Sequence, residues 1–370
     1  MQSNKKEVIT LWQFFVLITL FNMGGSVIIG QAYEAGQDAW IAVIVSGVIG
    51  TVIMLLYYYL IKYSNEKNYY LLMKKAVGKW AAKFLVFLYI LYFFYSAGAV
   101  IRDFGELMVS SIFVNTPLEV FCVTLTLTIA YTLKLGIEIL SRTTEIFFPY
   151  FAIFIIFVGI GVLFSGNMEF ENLLPIMSEG IQPIVKSVFP SMITFPYGEL
   201  IVFTMLFQHA GRKKQLAKVV VFGVVISFLL LCYSTLIQIM TLGSDMRIRS
   251  NFPLLNVARE ISLLNFIERV DLLIVFVMML GVIVKAGILL YGGLLGIQHI
   301  TDISYRKFVL PMSMIVAFIS VFIADTYVEH IEEGLKVAPF LLNIPFQFVI
   351  PFCLFLFLVI KKIKKKVGVN

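Results

Sequence analysis

A chain of 370 residues that is 60% apolar, 15% aromatic and only 14% charged, with a mean hydropathy of +0.95, lies far from the composition of a water-soluble globular protein. It reads as an integral membrane protein, whose net charge of +7 points to membrane topology and a phospholipid environment rather than to nucleic acid. Cys122, Cys232 and Cys353 all sit in apolar stretches without C-x-x-C spacing, which excludes a disulfide framework or metal finger as the organising theme.

A bilayer core about 30 Å thick needs roughly 20 apolar residues of helix, because each unpaired backbone group in hydrocarbon costs several kcal/mol. Runs of that kind predict ten spans. The first, 9–31, belongs to an apolar run too long for a signal-peptide core and has no small-residue cleavage site behind it, so it reads as retained. Within it, Asn22-Met23-Gly24-Gly25-Ser26 falls near the bilayer midplane, where adjacent glycines weaken a helix. Spans two and three are 39–61 and 83–101. Arg102, Asp103 and Glu106 at the outer end of the third read as a solvated interfacial cluster beside an external vestibule.

Spans four and five, 118–135 and 145–164, precede an outer stretch, 165–183, with room for a short amphipathic helix. Span six, 184–208, carries Phe195-Pro196-Tyr197-Gly198-Glu199. There proline removes a backbone donor, glycine frees the backbone and a carboxylate sits at membrane depth. Span seven, 219–242, leads to a second outer stretch, 243–271, in which 251–266 alternates apolar clusters with Arg259 and Glu260. Such segments suit a gate at the external mouth or a contact with a partner domain. Span eight, 272–298, holds Lys285 at its middle, and spans nine and ten are 308–323 and 338–360.

Of the 29 Lys and Arg residues, 21 fall at the termini and alternate loops, seven (Arg102, Lys186, Arg247, Arg249, Arg259, Arg269 and Lys336) in the opposite loops, and Lys285 alone within a span. That asymmetry places both termini in the cytoplasm. Trp12, Trp40 and Trp80 each open a span, where an indole keeps its N–H at the headgroups.

Interruptions in spans one and six lie five spans apart. An odd offset makes the corresponding helices antiparallel, the pattern of an inverted repeat. The expected architecture is an all-α membrane domain over 1–370, with five-helix repeats at 1–165 and 166–370. In such folds the ligand sits between the broken helices, half-helix N-termini facing its anionic group and unwound carbonyls its cationic one, which suits a zwitterionic amino acid. Glu199 and Lys285 each cost about 2.5 to 3.5 kcal/mol at the bilayer centre, so each should face the bundle interior or a wet cavity. If they meet, they form either a pair that a proton, cation or substrate ammonium disrupts, or a static bridge. Lys285 also suits the role of a built-in cation in place of bound Na⁺. His209, His299 and His330 lack ligand spacing, and no Ser-His-Asp, phosphate-loop or H-E-x-x-H pattern occurs. No enzyme activity, metal or cofactor is expected.

Several stretches then resemble a known family. Asn172-Leu173-Leu174-Pro175-Ile176, Gly180-Ile181-Gln182-Pro183 and Phe195-Pro196-Tyr197-Gly198-Glu199 are similar to the landmarks of spore germination receptor B subunits. So are Gly136-Ile137-Glu138, Ser141-Arg142, Phe148-Pro149 and Glu268-Arg269-Val270-Asp271 with Lys285. The resemblance extends over nearly the whole chain. It implies the spore permease branch of the amino acid-polyamine-organocation transporter superfamily: ten helices in a 5+5 inverted repeat, in the inner membrane of an endospore. It further implies a subunit that binds a small-molecule germinant, commonly an amino acid, and works with A and C subunits. Carried over, the ligand site comprises Met23, Gly24, Gly25 and Ser26 of span one, Phe195, Pro196, Tyr197, Gly198 and Glu199 of span six, and Tyr291 of span eight, with Glu199 and Lys285 as the coupling pair. Tyr197 stands where the family more usually has Phe, adding a hydroxyl near the expected pocket. The competing expectation is a secondary transporter moving an amino acid with H⁺ or Na⁺.

Overall fold

The structure, a computed structural model, describes residues 7–211, 213–261 and 270–367, and the side chains of Lys213, Lys365, Lys366 and Val367 are not among those described. Lys5, Lys6, Arg212, Arg269, the Glu268-Arg269 landmark and the 262–266 end of the outer amphipathic segment lie outside the described residues.

Every named element among the described residues is helical, as hydrocarbon demands of a chain that must pair its own backbone. Among the described residues, nine helices are long and apolar enough to cross a membrane: Leu11–Ile29, Tyr33–Ser64, Lys79–Ser111, Leu118–Leu135, Ile137–Ser165, Gln182–His209, Leu216–Arg249, Asp271–Thr301 and Pro339–Lys364. Val309–Phe322 and Tyr327–Val337, bent by 106° at their break, supply the tenth as the ninth in chain order. The protein is a multi-pass membrane protein.

The spans divide by how deeply they are packed. In spans one, three, six and eight, 89%, 61%, 72% and 67% of the most apolar window is buried, against 28% to 50% in spans two, four, five, seven and ten. The first group forms the interior and carries the polar groups discussed below. Span three runs along span eight, where Gly293 and Gly296 meet Phe94 and Ile90, the small-against-large packing by which helices approach closely in lipid.

Span three continues as one helix to Ser111, ten residues beyond its expected end. The cluster expected to be solvated is therefore buried: Arg102 is 4% and Asp103 8% exposed. Arg247, also assigned to a loop by sequence, is fully buried near the end of span seven, past a break at Gly243 (φ 70°). Both are packed interior cations, so they carry no topological weight. In the outer stretches, 165–183 forms only a short turn of helix, Phe170–Leu173, before span six begins. Of 251–266, Pro253–Arg259 is helical.

Candidate functional site

Span one starts cleanly: Thr10 caps it by a reciprocal pair of bonds with Gln13. The helix ends at Met23, Gly24 takes φ 25°, ψ −125°, and Ser26–Ile29 resumes the turn. The break is held from span eight. A Cβ on Gly281 would stand 2.8 Å from the Gly24 carbonyl oxygen, so both positions need glycine.

Span six owes its path to two Phe-Pro steps. A residue before proline is driven from helical to extended backbone, and Phe189 (φ −116°, ψ 129°) and Phe195 (φ −127°, ψ 119°) both comply. Only the second break was expected; Phe189-Pro190 carries the same signal one and a half turns earlier. Beyond Phe195, Gly198–Val202 winds as tight 3-10 turns.

The two membrane charges meet at this second break. Lys285 Nζ lies 2.6 Å from Glu199 Oε2, with side-chain exposures of 0% and 6%. Lys285 Cδ stands 3.0 Å from where a Gly24 Cβ would be, so the lysine stem passes beside the span-one break to reach span six. The ammonium also sits 3.7 Å from the centroid of the Phe195 ring and 5.4 Å from that of Phe21, which supplies cation–π contact where water is excluded. Among the described residues neither Lys285 Nζ nor Glu199 Oε2 has a further hydrogen-bond partner.

A cavity of about 230 Å³ reaches the Glu199 end of this pair. Its lining comes from both broken spans, through Ile29 to Glu34 after span one and Ser187 to Glu199 in span six. Tyr95 to Asp103 of span three and His330 to Asn343 leading into span ten complete it. The Asp103 carboxylate joins one wall to the break behind it: Oδ1 lies 3.0 Å from His330 Nε2, while Oδ2 lies 3.8 Å from where a Gly25 Cβ would be. Arg102 is turned away, its guanidinium 2.7 Å from Glu106 and donating to the Val321 carbonyl.

Of the residues carried over as ligand-binding, Phe195 and Glu199 line the cavity. Met23, Gly24, Gly25 and Ser26 do not: Met23 is fully buried and Gly24 is packed between Gly281 and the Lys285 stem. Pro196, Tyr197 and Gly198 lie behind the break. Tyr197 packs its ring over Gly50 of span two, and Gly198 abuts Gln347 of span ten. Tyr291 belongs to a different network. Its hydroxyl is 2.9 Å from His209 Nε2; His209 in turn contacts the Glu7 carbonyl, and Glu7 Oε1 receives both Tyr305 Oη and Arg306 Nη2 at 2.8 Å. Hydrogen bonds to Tyr305 and Glu7 hold the Arg306 guanidinium above its ordinary pKa. With the Ile9–Ala210 bridge, this network ties the segment before span one to the ends of spans six and eight. It lies at the membrane face where the chain begins, opposite the cavity.

The sequence profile of a family described as spore germination protein, the spore permeases, matches residues 8–327. The chain belongs to that family. It is 32% identical over 366 residues to spore germination protein KB of Bacillus subtilis (strain 168), covering 98% of this chain and 97% of the relative. It is 23% identical to spore germination protein A2 of the same organism, over 88% and 87% of the two chains. Among solved structures, that of MhsT in complex with L-phenylalanine superposes with a TM-score of 0.66 at 12% identity, covering 96% of this chain and 99% of the other. Mhp1, a nucleobase-cation-symport-1 family transporter solved in a closed conformation with bromovinylhydantoin, gives 0.63 at 9% identity, over 89% and 75%. These likenesses establish the ten-span inverted-repeat transporter fold with discontinuous spans one and six. The spore permeases are receptor and permease proteins, not enzymes.

Proposed function

We propose that the chain is the germinant-binding subunit of a spore germination receptor, taking a small molecule, an amino acid, between the broken spans one and six and passing the signal to A and C subunits in the spore inner membrane. Both termini then face the cytoplasm, and the five-helix repeats meet at 165/166. The observation that carries this reading is the buried Lys285–Glu199 pair, whose carboxylate residue lines the cavity.

A buried ion pair with no further partners is poised: each charge is costly unless compensated, so a ligand charge arriving beside Glu199 weakens its hold on Lys285 and lets span eight shift against span six. A static bridge would need no cavity leading to it. The ligand shifts the population only if it binds one arrangement of the spans more tightly than the other. The apolar share of the walls, Ile29, Val100, Met192, Phe195 and Leu335, fits an uncharged apolar side chain. That the structural neighbour MhsT was solved with L-phenylalanine agrees with an amino acid.

The direct test is germination of spores whose only receptor carries this subunit, across single amino acids and nucleosides. Response to an amino acid, lost in Lys285→Ala, supports the reading; indifference to every amino acid rejects it. The alternative, a secondary transporter, is favoured by the transporter fold of both neighbours. Gradient-driven uptake of labelled amino acid by the isolated chain in proteoliposomes would establish it.

A further inference from the structure

Four residues that charge within the ordinary pH range line the cavity: Glu34, Asp103, Glu199 and His330. Lys285 answers Glu199, which leaves two carboxylates and one imidazole on the lining itself; the Arg247 guanidinium stands behind it, on the Gln31 carbonyl and the Tyr33 ring. Arg102, the adjacent cation, is already taken by Glu106 and the Val321 carbonyl. A low-dielectric chamber whose lining carries more carboxylates than cations favours a cationic group in it. Gln31, itself only 8% exposed, lines the same chamber, and among the described residues both its amide nitrogen and its amide oxygen lack a hydrogen-bond partner. A buried amide with both ends unused costs free energy unless something in the chamber completes it.

From this arrangement we infer that Asp103 is the ammonium receptor of the site, and that the ligand class is a primary amine or an amino acid recognised through its amine, with His330 occupying the carboxylate until the ligand arrives. The inference rests on the reading of the cavity as the ligand site and adds which charge is read and by which residue. Asp103 suits the task because it lines the cavity and its two oxygens meet different elements: Oδ1 reaches His330, on the helix leading into span ten, and Oδ2 stands beside Gly25 at the break of span one. An ammonium bound there replaces the imidazole as the partner of Asp103 and detaches span three from that helix. His330 is supported on its other side by Tyr327, whose ring stacks on Phe252 beside the outer helix Pro253–Arg259. Releasing the imidazole therefore loosens the outer mouth as well. Gln31, with a donor and an acceptor both free, completes the ligand's polar groups.

Thermal unfolding of the full purified chain in lipid nanodiscs tests this with three matched series. The first is L-alanine, L-leucine and L-phenylalanine; the second, their decarboxylated amines; the third, their des-amino acids. Stabilisation by amino acids and amines but not by the carboxylic acids is expected. In Asp103→Asn the affinity for whichever compound binds should fall about tenfold to a hundredfold. In His330→Phe, which keeps a ring against Tyr327 but cannot donate to Asp103, affinity should rise, because a competitor has been removed. Equal losses in Asp103→Asn and His330→Phe, or binding of the carboxylic acids as strong as that of the amines, would overturn the inference and leave the amino-acid reading standing. Failure of all three series to stabilise the unmodified chain would overturn both. Should Asp103→Asn not fold, the three series on the unmodified chain and the sign of the His330→Phe effect still decide.

Discussion

Gly281 of the unbroken span eight stands against Gly24 at the break of span one so closely that a Cβ added to it would lie 2.8 Å from both the Gly24 Cα and its carbonyl oxygen. The obstructing atoms are backbone and cannot turn aside as a flexible side chain would. Gly281→Ala should therefore cost about 1 to 3 kcal/mol and displace the break, lowering the unfolding temperature in detergent and impairing the germinant response together. Unchanged unfolding and response would mean that the two spans are not locked at this point.

Tyr197 is the position where this chain departs from the Phe more usual in the family, and the hydroxyl was expected near the ligand. Its ring instead lies over Gly50 of span two, outside the cavity lining. Tyr197→Phe should leave ligand affinity within about twofold, with a stability change of about 1 kcal/mol or less, measured by ligand-dependent thermal shift. A specificity change in this variant would return the residue to the site.

At the opposite membrane face, Glu7 accepts from both Tyr305 and Arg306 and its backbone contacts His209. The Arg306–Glu7 pair is only partly buried, with side-chain exposures of 35% and 14%, so Glu7→Gln should cost no more than about 1 kcal/mol of global stability. Its effect should be local: faster amide exchange in 8–11 and 305–308, where the closure is made, with little change around Asp103. Uniform exchange rates across variant and parent would show that the network is incidental.

How much of this was readable in the sequence follows from what hydrocarbon forbids. The spans were legible because only apolar helices satisfy their backbone in lipid. The breaks at Gly24 and Phe195 were legible because glycine and proline weaken a helix and the two interruptions fall five spans apart, and Glu199 and Lys285 because a lone charge at midplane is expensive. Asp103 and His330 were hidden by their own compensation. Arg102 pairs with Glu106 within span three, and Asp103 with His330 across to the helix leading into span ten. Hydropathy registers the charges but not the partner 227 residues away, so a buried stretch of helix looked like a solvated end. Arg247 misled in the same way: it donates to Gln238 and to the Gln31 carbonyl and lies over the Tyr33 ring, none of them a carboxylate that sequence spacing would pair with it. Positions such as Tyr197 and Tyr291 shared the right spans but faced other neighbours, a matter of helix rotation that composition does not encode.

Phe195 separates the cavity from the Lys285 ammonium, 3.7 Å from its ring centroid. Phe195→Leu keeps much of the bulk but removes the π face, a loss of about 2 kcal/mol for a desolvated cation. The expected outcome is a weaker hold on Lys285 and germination at lower ligand concentration, read from the dose–response curve. A curve shifted to higher concentration would mean that the ring serves the ligand and not the lysine.

The decisive comparison is between single and double neutralisation of the buried pair. Lys285→Met and Glu199→Gln should each cost about 3 to 5 kcal/mol by stranding a charge, and the double variant should regain most of that stability, since a buried pair replaced as a unit is often neutral. If the pair senses the ligand, the restored double variant unfolds like the parent but shows no ligand-dependent shift with the amino acid that stabilises the parent. A double variant that is both stable and fully ligand-responsive would contradict the account.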